Sequence, residues 1–423
     1  MDSATPAEIG AQIRRIRKLR AMSLEMAAGF AGISSSYLAR LERGEHGFNR
    51  RGLLEAIALV LGCSVLDLTD PDPDTTHLEQ PRPEQPVAMS NPAARIVIPQ
   101  ITMALADCTL DDVPDVAARP VPELVAAARM ANEHWEGSGR YDLAGQGLAG
   151  LLTELHVAVA TTKDGVERQA ALAALVETTM VAEIVAETLG HSTLAVYAAE
   201  RGQQAAERLG DPALIGFAGG THAWALMRVG APRRADYVLT GVIDSLAGVD
   251  PTGPDTLAAE AYGRAHLLRA FFAVRSGKAS TAHDHLGEAA RIAVHTGERN
   301  GLRLHFGPSS VSTYRLIVGV ELQEAGKAYE RARTANIDPA VLGANRTMAA
   351  HFYRAQALAQ EGGRRDTDVY RHLDLADQHD PQRIRTVPAA LKLLADLDKR
   401  APRKTWLLKS LLNRFGLNKQ ARS

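Results

Sequence analysis

The first seventy residues alternate short apolar stripes with glycine and serine punctuation. Ile9, Ile13, Ile16 and Leu19 recur every three or four positions, which puts them on one face of a helix whose other faces are basic. A second short helix is predicted from Ser23, a residue type that caps helix starts, to Ala31. Gly32 permits a tight turn, Ser34 caps a third helix carrying Tyr37, Leu38 and Leu41, and Gly44 ends it. Leu53, Leu54, Ile57, Ala58 and Leu61 define a fourth helix stopped at Gly62, and Val65, Leu66 and Leu68 a short fifth. Residues 71–92 then hold six prolines and no apolar period, the pattern of a semi-rigid extended tether, assigned here to 71–98. From about Pro99 the chain is Ala- and Leu-rich helix nearly to its end, giving a body at 99–417. The expected fold class is all-α.

Within the body a pattern recurs. Gly230-Ala-Pro-Arg-Arg-Ala235 and Gly277-Lys-Ala-Ser-Thr-Ala282 share a Gly-x4-Ala turn that closes one helix and opens the next. Gly326-Lys-Ala328 and Gly363-Arg-Arg-Asp366 are weaker copies, and further helix pairs fall near 172–209 and 388–415. The second helices of successive pairs begin about 36–47 residues apart. A single helical hairpin cannot bury both faces, so such pairs stack into a superhelix with a concave groove; simple helical-bundle packing is the alternative.

Composition agrees with helix-on-helix packing: of 423 residues 46% are apolar, 23% charged and only 5% aromatic. The two cysteines, Cys63 and Cys108, are too few for a disulfide framework or a cysteine zinc site. No uninterrupted apolar stretch reaches the ~20 residues that span a bilayer, and the charged N-terminus does not read as a signal peptide. A cytoplasmic protein without a membrane partner is expected. The net charge of −1 is unevenly spread. Between Ile9 and Arg51 nine Lys/Arg stand against three acids, leaving +6 there on an otherwise acidic chain. A compact basic segment of this kind is the charge footprint of a small nucleic-acid-binding domain, or a solvated helix face.

The stretch Ser23-Leu-Glu-Met-Ala-Ala-Gly-Phe-Ala-Gly-Ile-Ser-Ser-Ser-Tyr-Leu-Ala-Arg-Leu-Glu-Arg-Gly44 resembles the phage-repressor (Cro/cI, or XRE) helix-turn-helix family. Small Ala28 lets two helices cross closely, Gly32 takes the strained turn and Ile33 plugs the core between them. The resemblance covers residues 9–70, within a domain set at 1–70. It implies that the third helix enters the major groove, with Ser35, Ser36, Ala39 and Arg40 facing the bases. Arg40, the long donor among them, would bond a guanine bidentately. Arg43, Arg50 and Arg51 would meet phosphates, and Arg14, Arg15 and Lys18 of the first helix the DNA backbone. The family often places Gln where this chain has Leu24, so the resemblance does not carry over the phosphate-clamping contact at that position. Glu42 resembles a position that pairs with the first helix, here Arg17, in a fold-holding ion pair.

The spacing and small-residue usage of the body resemble tetratricopeptide repeats, longer and more degenerate than their 34-residue consensus. Together the parts resemble large helix-turn-helix regulators of actinobacterial type, and in domain order the RRNPP quorum-sensing regulators, whose repeat groove binds a signalling peptide. First helices of each pair would line the concave face. Trp224, Arg228, Arg264, Arg275, Ser310 and Tyr353 are then the candidate effector-binding residues: Arg to hold a carboxylate, Trp and Tyr to stack on apolar groups. Inter-repeat core is the other role open to Trp224 and Tyr353.

Other signals carry less. Gly145-Gln-Gly147-Leu-Ala-Gly150 satisfies GxGxxG but has helical flanks instead of a preceding strand. His283 and His285 point in different directions on a helix and do not make a metal pair. No nucleophile–base motif stands out, and neither cofactor nor enzymatic activity is expected. Trp406, Leu407, Leu411 and Phe415 lie along a basic C-terminal helix that either caps the repeats or contacts a membrane or DNA backbone. The reading is a transcription factor binding an inverted-repeat operator in double-stranded DNA as a homodimer, governed by a peptide or small-molecule effector. The alternative is an interaction protein whose repeats grip a partner protein and whose helix-turn-helix tethers it to DNA.

Overall fold

The computed structural model describes residues 5–19, 23–31, 33–47, 53–54, 57, 61, 68–69, 92–138, 141–333 and 337–417. The chain divides into two units, Met1–Gln85 and Pro86–Ser423.

In the first unit, α1 (Pro6–Leu19), α2 (Leu24–Phe30) and α3 (Ser35–Glu42) follow one another. Thr5 and Glu8 open α1 reciprocally: the Thr5 amide donates to Glu8 Oε2 at 2.7 Å and the Glu8 amide to Thr5 Oγ1 at 3.3 Å. Ser34 caps α3 by accepting from the Tyr37 amide at 3.2 Å. The turn before it is closed by Ile33 N–H donating to the Ala28 carbonyl at 3.0 Å. Ile9, Ile13, Ile16, Ala27, Ala28, Leu38 and Leu41 are buried together with Leu54, Ile57, Leu61 and Leu68. α1 and α3 approach so closely that a Cβ on Gly10 would stand 2.2 Å from the Leu41 carbonyl oxygen. Gly10 therefore sets their crossing. Gly32, Arg50 and Arg51, the turn and loop positions singled out in the sequence, lie outside the described residues, as does most of the tether.

The second unit opens with α4 (Pro92–Asp107), which starts inside the stretch assigned to the tether and runs through Pro99. The helix thus runs across the boundary set at 98 and 99. Val97, Ile98, Ile101 and Leu105 form one buried face, while Pro99 lies on the exposed face, where a carbonyl freed of its helical donor can meet water. α5 (Val121–Ser138), α6 (Tyr141–Ala144) and α7 (Leu148–Thr161) follow, and then paired helices: α8 (Gly165–Thr188) with α9 (Ser192–Leu209), α10 (Pro212–Arg228) with α11 (Pro232–Leu246), α12 (Thr256–Arg275) with α13 (Ala279–Thr296), α14 (Pro308–Glu321) with α15 (Ala325–Arg333), α16 (Pro339–Gln360) with α17 (Asp366–His379). A short α18 (Pro381–Ile384) leads to α19 (Pro388–Arg400) and α20 (Trp406–Arg414).

Four of these pairs turn in the same way. Gly190, Gly230, Gly277 and Gln323 all have positive φ, at 83°, 78°, 71° and 59°. After each, the next residue's amide reaches back to close the helix: Ala231 to Leu226 at 2.9 Å, Lys278 to Ala273 at 2.8 Å, Glu324 to Gly319 at 2.8 Å, His191 to Ala186 at 2.7 Å. Five residues after each turn position stands a buried alanine, Ala195, Ala235, Ala282 or Ala328, which lets the second helix settle against the first. The copy that the glycine spacing puts at Gly326 is therefore at Gln323. Gly363 opens a 3-10 turn, a different connection.

First helices pack on one another in series, α8 on α10, α10 on α12, α12 on α14 and α14 on α16. The row curls until α16 meets α5. Among the described residues α8 alone has the length and apolar composition to cross a membrane, and 72% of its apolar window is packed inside the body. At the far end α20 buries Leu408, Leu411 and Leu412, Phe415 is buried at its C-cap, and Arg414 bonds both Asp374 and Asp377 of α17. α20 thus packs on the last hairpin as a cap, and Trp406 lies on its exposed side, away from the apolar face that the sequence pattern assigned it to.

Candidate functional site

The site in the first unit is the outward side of α3. Leu38 and Leu41 turn inward, which leaves Ser36 and Arg40 exposed and Ser35 and Ala39 half-buried beside them. Tyr37 is half-buried with its ring 5.7 Å from that of His46. Arg14, Arg15 and Lys18 of α1 are exposed. Arg17, on the same helix, points elsewhere: its Nε donates to Glu42 Oε1 at 2.5 Å and Nη2 to Oε2 at 2.8 Å, a two-pronged pair closing α1 onto α3. Only 11% of the Arg17 side chain and 5% of Glu42 remain accessible, so the pair holds the fold and is not offered to a ligand.

Arg43 is exposed and held by Glu45, with Nε–Oε1 at 2.5 Å and Nη2–Oε2 at 2.9 Å. Hydrogen bonding to Arg43 holds the Glu45 carboxyl below its ordinary value, with Arg40 and His46 adding to the effect. Glu45 is therefore an acid set among the basic groups of this face, and the sequence reading had missed it. An exposed pair of this kind is worth little, so a phosphate can replace Glu45 as the partner of Arg43 at small cost.

Residues 8–70 match the family described as a helix-turn-helix domain. Neither the search of curated proteins nor that of solved structures returned a match. With the three helices, the capped turn and the exposed basic face on α3, the first unit is a helix-turn-helix domain of the DNA-binding kind.

In the second unit, the six residues expected along the concave face all lie on first helices: Trp224 and Arg228 on α10, Arg264 and Arg275 on α12, Ser310 on α14 and Tyr353 on α16. Arg228 bonds Glu187 of α8 at 3.0 Å, and Arg383 meets the same carboxylate at 3.0 Å. Trp224 also hydrogen-bonds Glu187, and its ring lies 5.6 Å from Phe271. Arg275 faces Glu321 at 3.3 Å. Arg264 hydrogen-bonds the Tyr314 hydroxyl with its guanidinium 5.2 Å over that ring. Tyr353 is half-buried; burial, then Glu321 and Tyr314, push its phenol above the ordinary value, with Arg275 and Arg228 opposing. Ser310 differs: it is 2% exposed and its hydroxyl donates to the His305 carbonyl, so it anchors a loop and does not line the face.

Several members of this interior were not singled out in the sequence. Glu183 is buried, one of its carboxyl oxygens has no hydrogen-bond partner, and burial with Glu187 alongside raises its pKa well above the ordinary value. The signal was present, since Glu183 and Glu187 stand four apart in an otherwise apolar helix. Glu136 accepts from Arg303 at 2.6 Å and lies 3.1 Å from His305; burial raises its pKa, but hydrogen bonds from these residues and Asn300 prevail and hold it at about 2. Among the described residues no group of three or more His, Cys, Asp or Glu could hold a metal ion.

Proposed function

We propose that the protein is a sequence-specific transcriptional regulator of the XRE type, acting by binding and not by catalysis. The observation that carries this reading is the exposed edge of α3, where Ser36 and Arg40 stand clear of the core beside the half-buried Ser35 and Ala39, on a domain matched as helix-turn-helix. An Arg on that edge reaches a guanine bidentately, while the exposed Arg14, Arg15 and Lys18 supply phosphate contacts that position the domain. A recognition helix of eight residues reads few base pairs, so adequate specificity calls for two copies on an inverted repeat. The tetratricopeptide-like body would supply the dimer and take a peptide or small-molecule effector against its first helices. The effector regulates DNA binding by favouring one arrangement of the dimer over another.

Selection from a random DNA library by the full-length protein tests the reading, with the mass of the resulting complex measured in solution. An enriched inverted repeat carrying two protomers supports it. Recovery of unrelated sequences, or one protomer per site, removes it.

A further inference from the structure

His266 of α12 and His285 of α13 face each other Nδ1 to Nδ1 at 2.9 Å, and His351 of α16 and His372 of α17 do so at 3.1 Å. Both pairs join the first helix of a hairpin to its second, and on the first helix they hold the same register. His266 stands eleven residues before Gly277 and His351 eleven before Gly362, the positive-φ glycines that follow the two first helices. On the second helix the count is eight after Gly277 and ten after Gly362, whose connection carries the 3-10 turn Gly363–Arg365. Helix packing does not require histidine there. In α8 and α10 the same first-helix position holds Thr179 and Gly219. A Cβ on Gly202 of α9 would stand 2.4 Å from Thr179 Oγ1, and one on Gly219 2.4 Å from Val242 Cγ2 of α11. Two hairpins place facing imidazoles at this contact instead, with His266 and His351 buried and His285 and His372 half-buried.

We infer that each pair is a two-histidine site for a divalent transition-metal ion of the nitrogen-preferring kind, Ni²⁺ or Cu²⁺, held through the two Nδ1 atoms. At metal–nitrogen distances of about 2.0–2.1 Å, nitrogens 2.9 and 3.1 Å apart subtend roughly 90–100° at a shared ion. That is the angle between neighbouring ligands in tetragonal or octahedral coordination, which Ni²⁺ and Cu²⁺ favour over the tetrahedron of zinc. In the metal-free pair one imidazole donates its Nδ1 proton to the other. On binding, that ring takes the Nε2–H tautomer and both Nδ1 lone pairs turn to the ion, so the proton count of the pair is unchanged. Burial keeps the four rings neutral near pH 7, the form that ligates. Among the described residues no third His, Cys, Asp or Glu joins either pair as a ligand, so water fills the remaining positions. His222 supplies the contrast: its Nδ1 meets Gln203 Oε1 at 2.7 Å between α10 and α9, with no second imidazole to offer. An ion on either pair ties the two helices of its hairpin together. The inference stands apart from the reading of the first unit as a DNA-binding domain.

The test is calorimetric titration of untagged full-length protein, freed of metal with a chelator, with NiCl₂ and, as the control, MgCl₂. Two equivalents of Ni²⁺ bound at micromolar concentration and none of Mg²⁺ are expected, with the melting temperature of the body raised by several degrees. His285→Gln and His372→Gln should each remove one equivalent, and the double variant both. Glutamine leaves the first-helix ring a hydrogen-bond partner, as Gln203 does for His222, and melting of the metal-free variants checks that they are folded. His283→Gln, at an exposed histidine of α13 outside both pairs, should keep both equivalents. Electron paramagnetic resonance of the wild-type copper complex reads the sites without any substitution and should show two nitrogen ligands per Cu²⁺. Absence of micromolar Ni²⁺ binding overturns the inference, as does binding that survives in the double variant. Should the double variant not fold, the copper spectrum decides, and fewer than two nitrogens per ion overturns it.

Discussion

The hydroxyl of Tyr141 donates a 2.6 Å hydrogen bond to Asp380, so a residue near the start of the helical body is held to one near its end in a buried contact. Asp380 also accepts the Arg383 amide at 3.1 Å, and the Arg383 side chain continues to Glu187. Burial raises the pKa of Asp380, and hydrogen bonding to Tyr141 and the charge of Arg383 work against that rise. Tyr141→Phe leaves one buried carboxyl oxygen without its donor and should cost the body about 1–3 kcal/mol. Trp135, Trp224 and Trp406 all lie in the body, so the urea midpoint of tryptophan fluorescence reads this unit directly. An unchanged midpoint would mean that the contact does not hold the ends together.

Glu45 sits among Arg40, Arg43 and His46 on the face assigned to DNA. Removing its charge should tighten binding, because Arg43 then meets phosphate without giving up a partner. Glu45→Gln is expected to raise affinity severalfold at low salt and to steepen the salt dependence by roughly one released counterion. Equal affinities for both proteins at every salt concentration would place Arg43 away from the backbone.

Gln323 holds at φ 59° a turn position that three other hairpins give to glycine. A side chain in that conformation costs roughly 1 kcal/mol relative to glycine. Gln323→Gly should therefore stabilise the body by about that amount, and Gly277→Ala destabilise it similarly, both read as shifts in urea midpoint. Opposite signs would show that the four turns are not equivalent.

The same residue explains what the sequence hid. Gly230 and Gly277 mark their turns openly, but with Gln323 in the turn that follows them the glycine spacing points to Gly326, out of register with the structural repeat. Gly190 opens a further copy that passes unnoticed because His191 and Ser192 follow it where other turns have proline or lysine. The pairing of Arg17 with Glu42 was legible because a family resemblance supplied both positions. The interior of the body was legible in part: first-helix placement picks out Arg228, Arg264, Arg275 and Tyr353, since long polar residues on otherwise apolar helices are conspicuous. Tyr314 becomes apparent only when separate hairpins are brought side by side, because its hydrogen bond with Arg264 is a long-range contact with no local periodicity to announce it. Pro99 misled for a physical reason, since a proline is tolerated within a helix when its face meets solvent.

Two histidine pairs link first and second helices in the body. His266 and His285 approach Nδ1 to Nδ1 at 2.9 Å, and His351 and His372 at 3.1 Å. Each contact needs one nitrogen bare, so protonation of the acceptor breaks it. Burial lowers all four, with His266 at about 4, His351 at about 3 and His372 at about 4 against an ordinary 6.5. The unfolded chain therefore binds these protons first. Their contribution to stability is complete above about pH 6.5 and is lost as the pH falls toward 4. The melting temperature of the body should drop across that window, and less steeply in the double variant His266→Gln/His351→Gln. Parallel curves for the two proteins would assign the acid sensitivity to other groups.

The central claim is that α3 reads DNA sequence, and the direct measurement is a titration of full-length wild-type protein and Arg40→Ala against the selected operator and a scrambled duplex at several salt concentrations. Wild type should prefer the operator, with affinity falling linearly in log salt on both duplexes. Arg40→Ala should lose about 1–3 kcal/mol on the operator and little on the scrambled duplex. Equal binding of both duplexes by wild type, or an operator preference untouched by Arg40→Ala, would contradict the account.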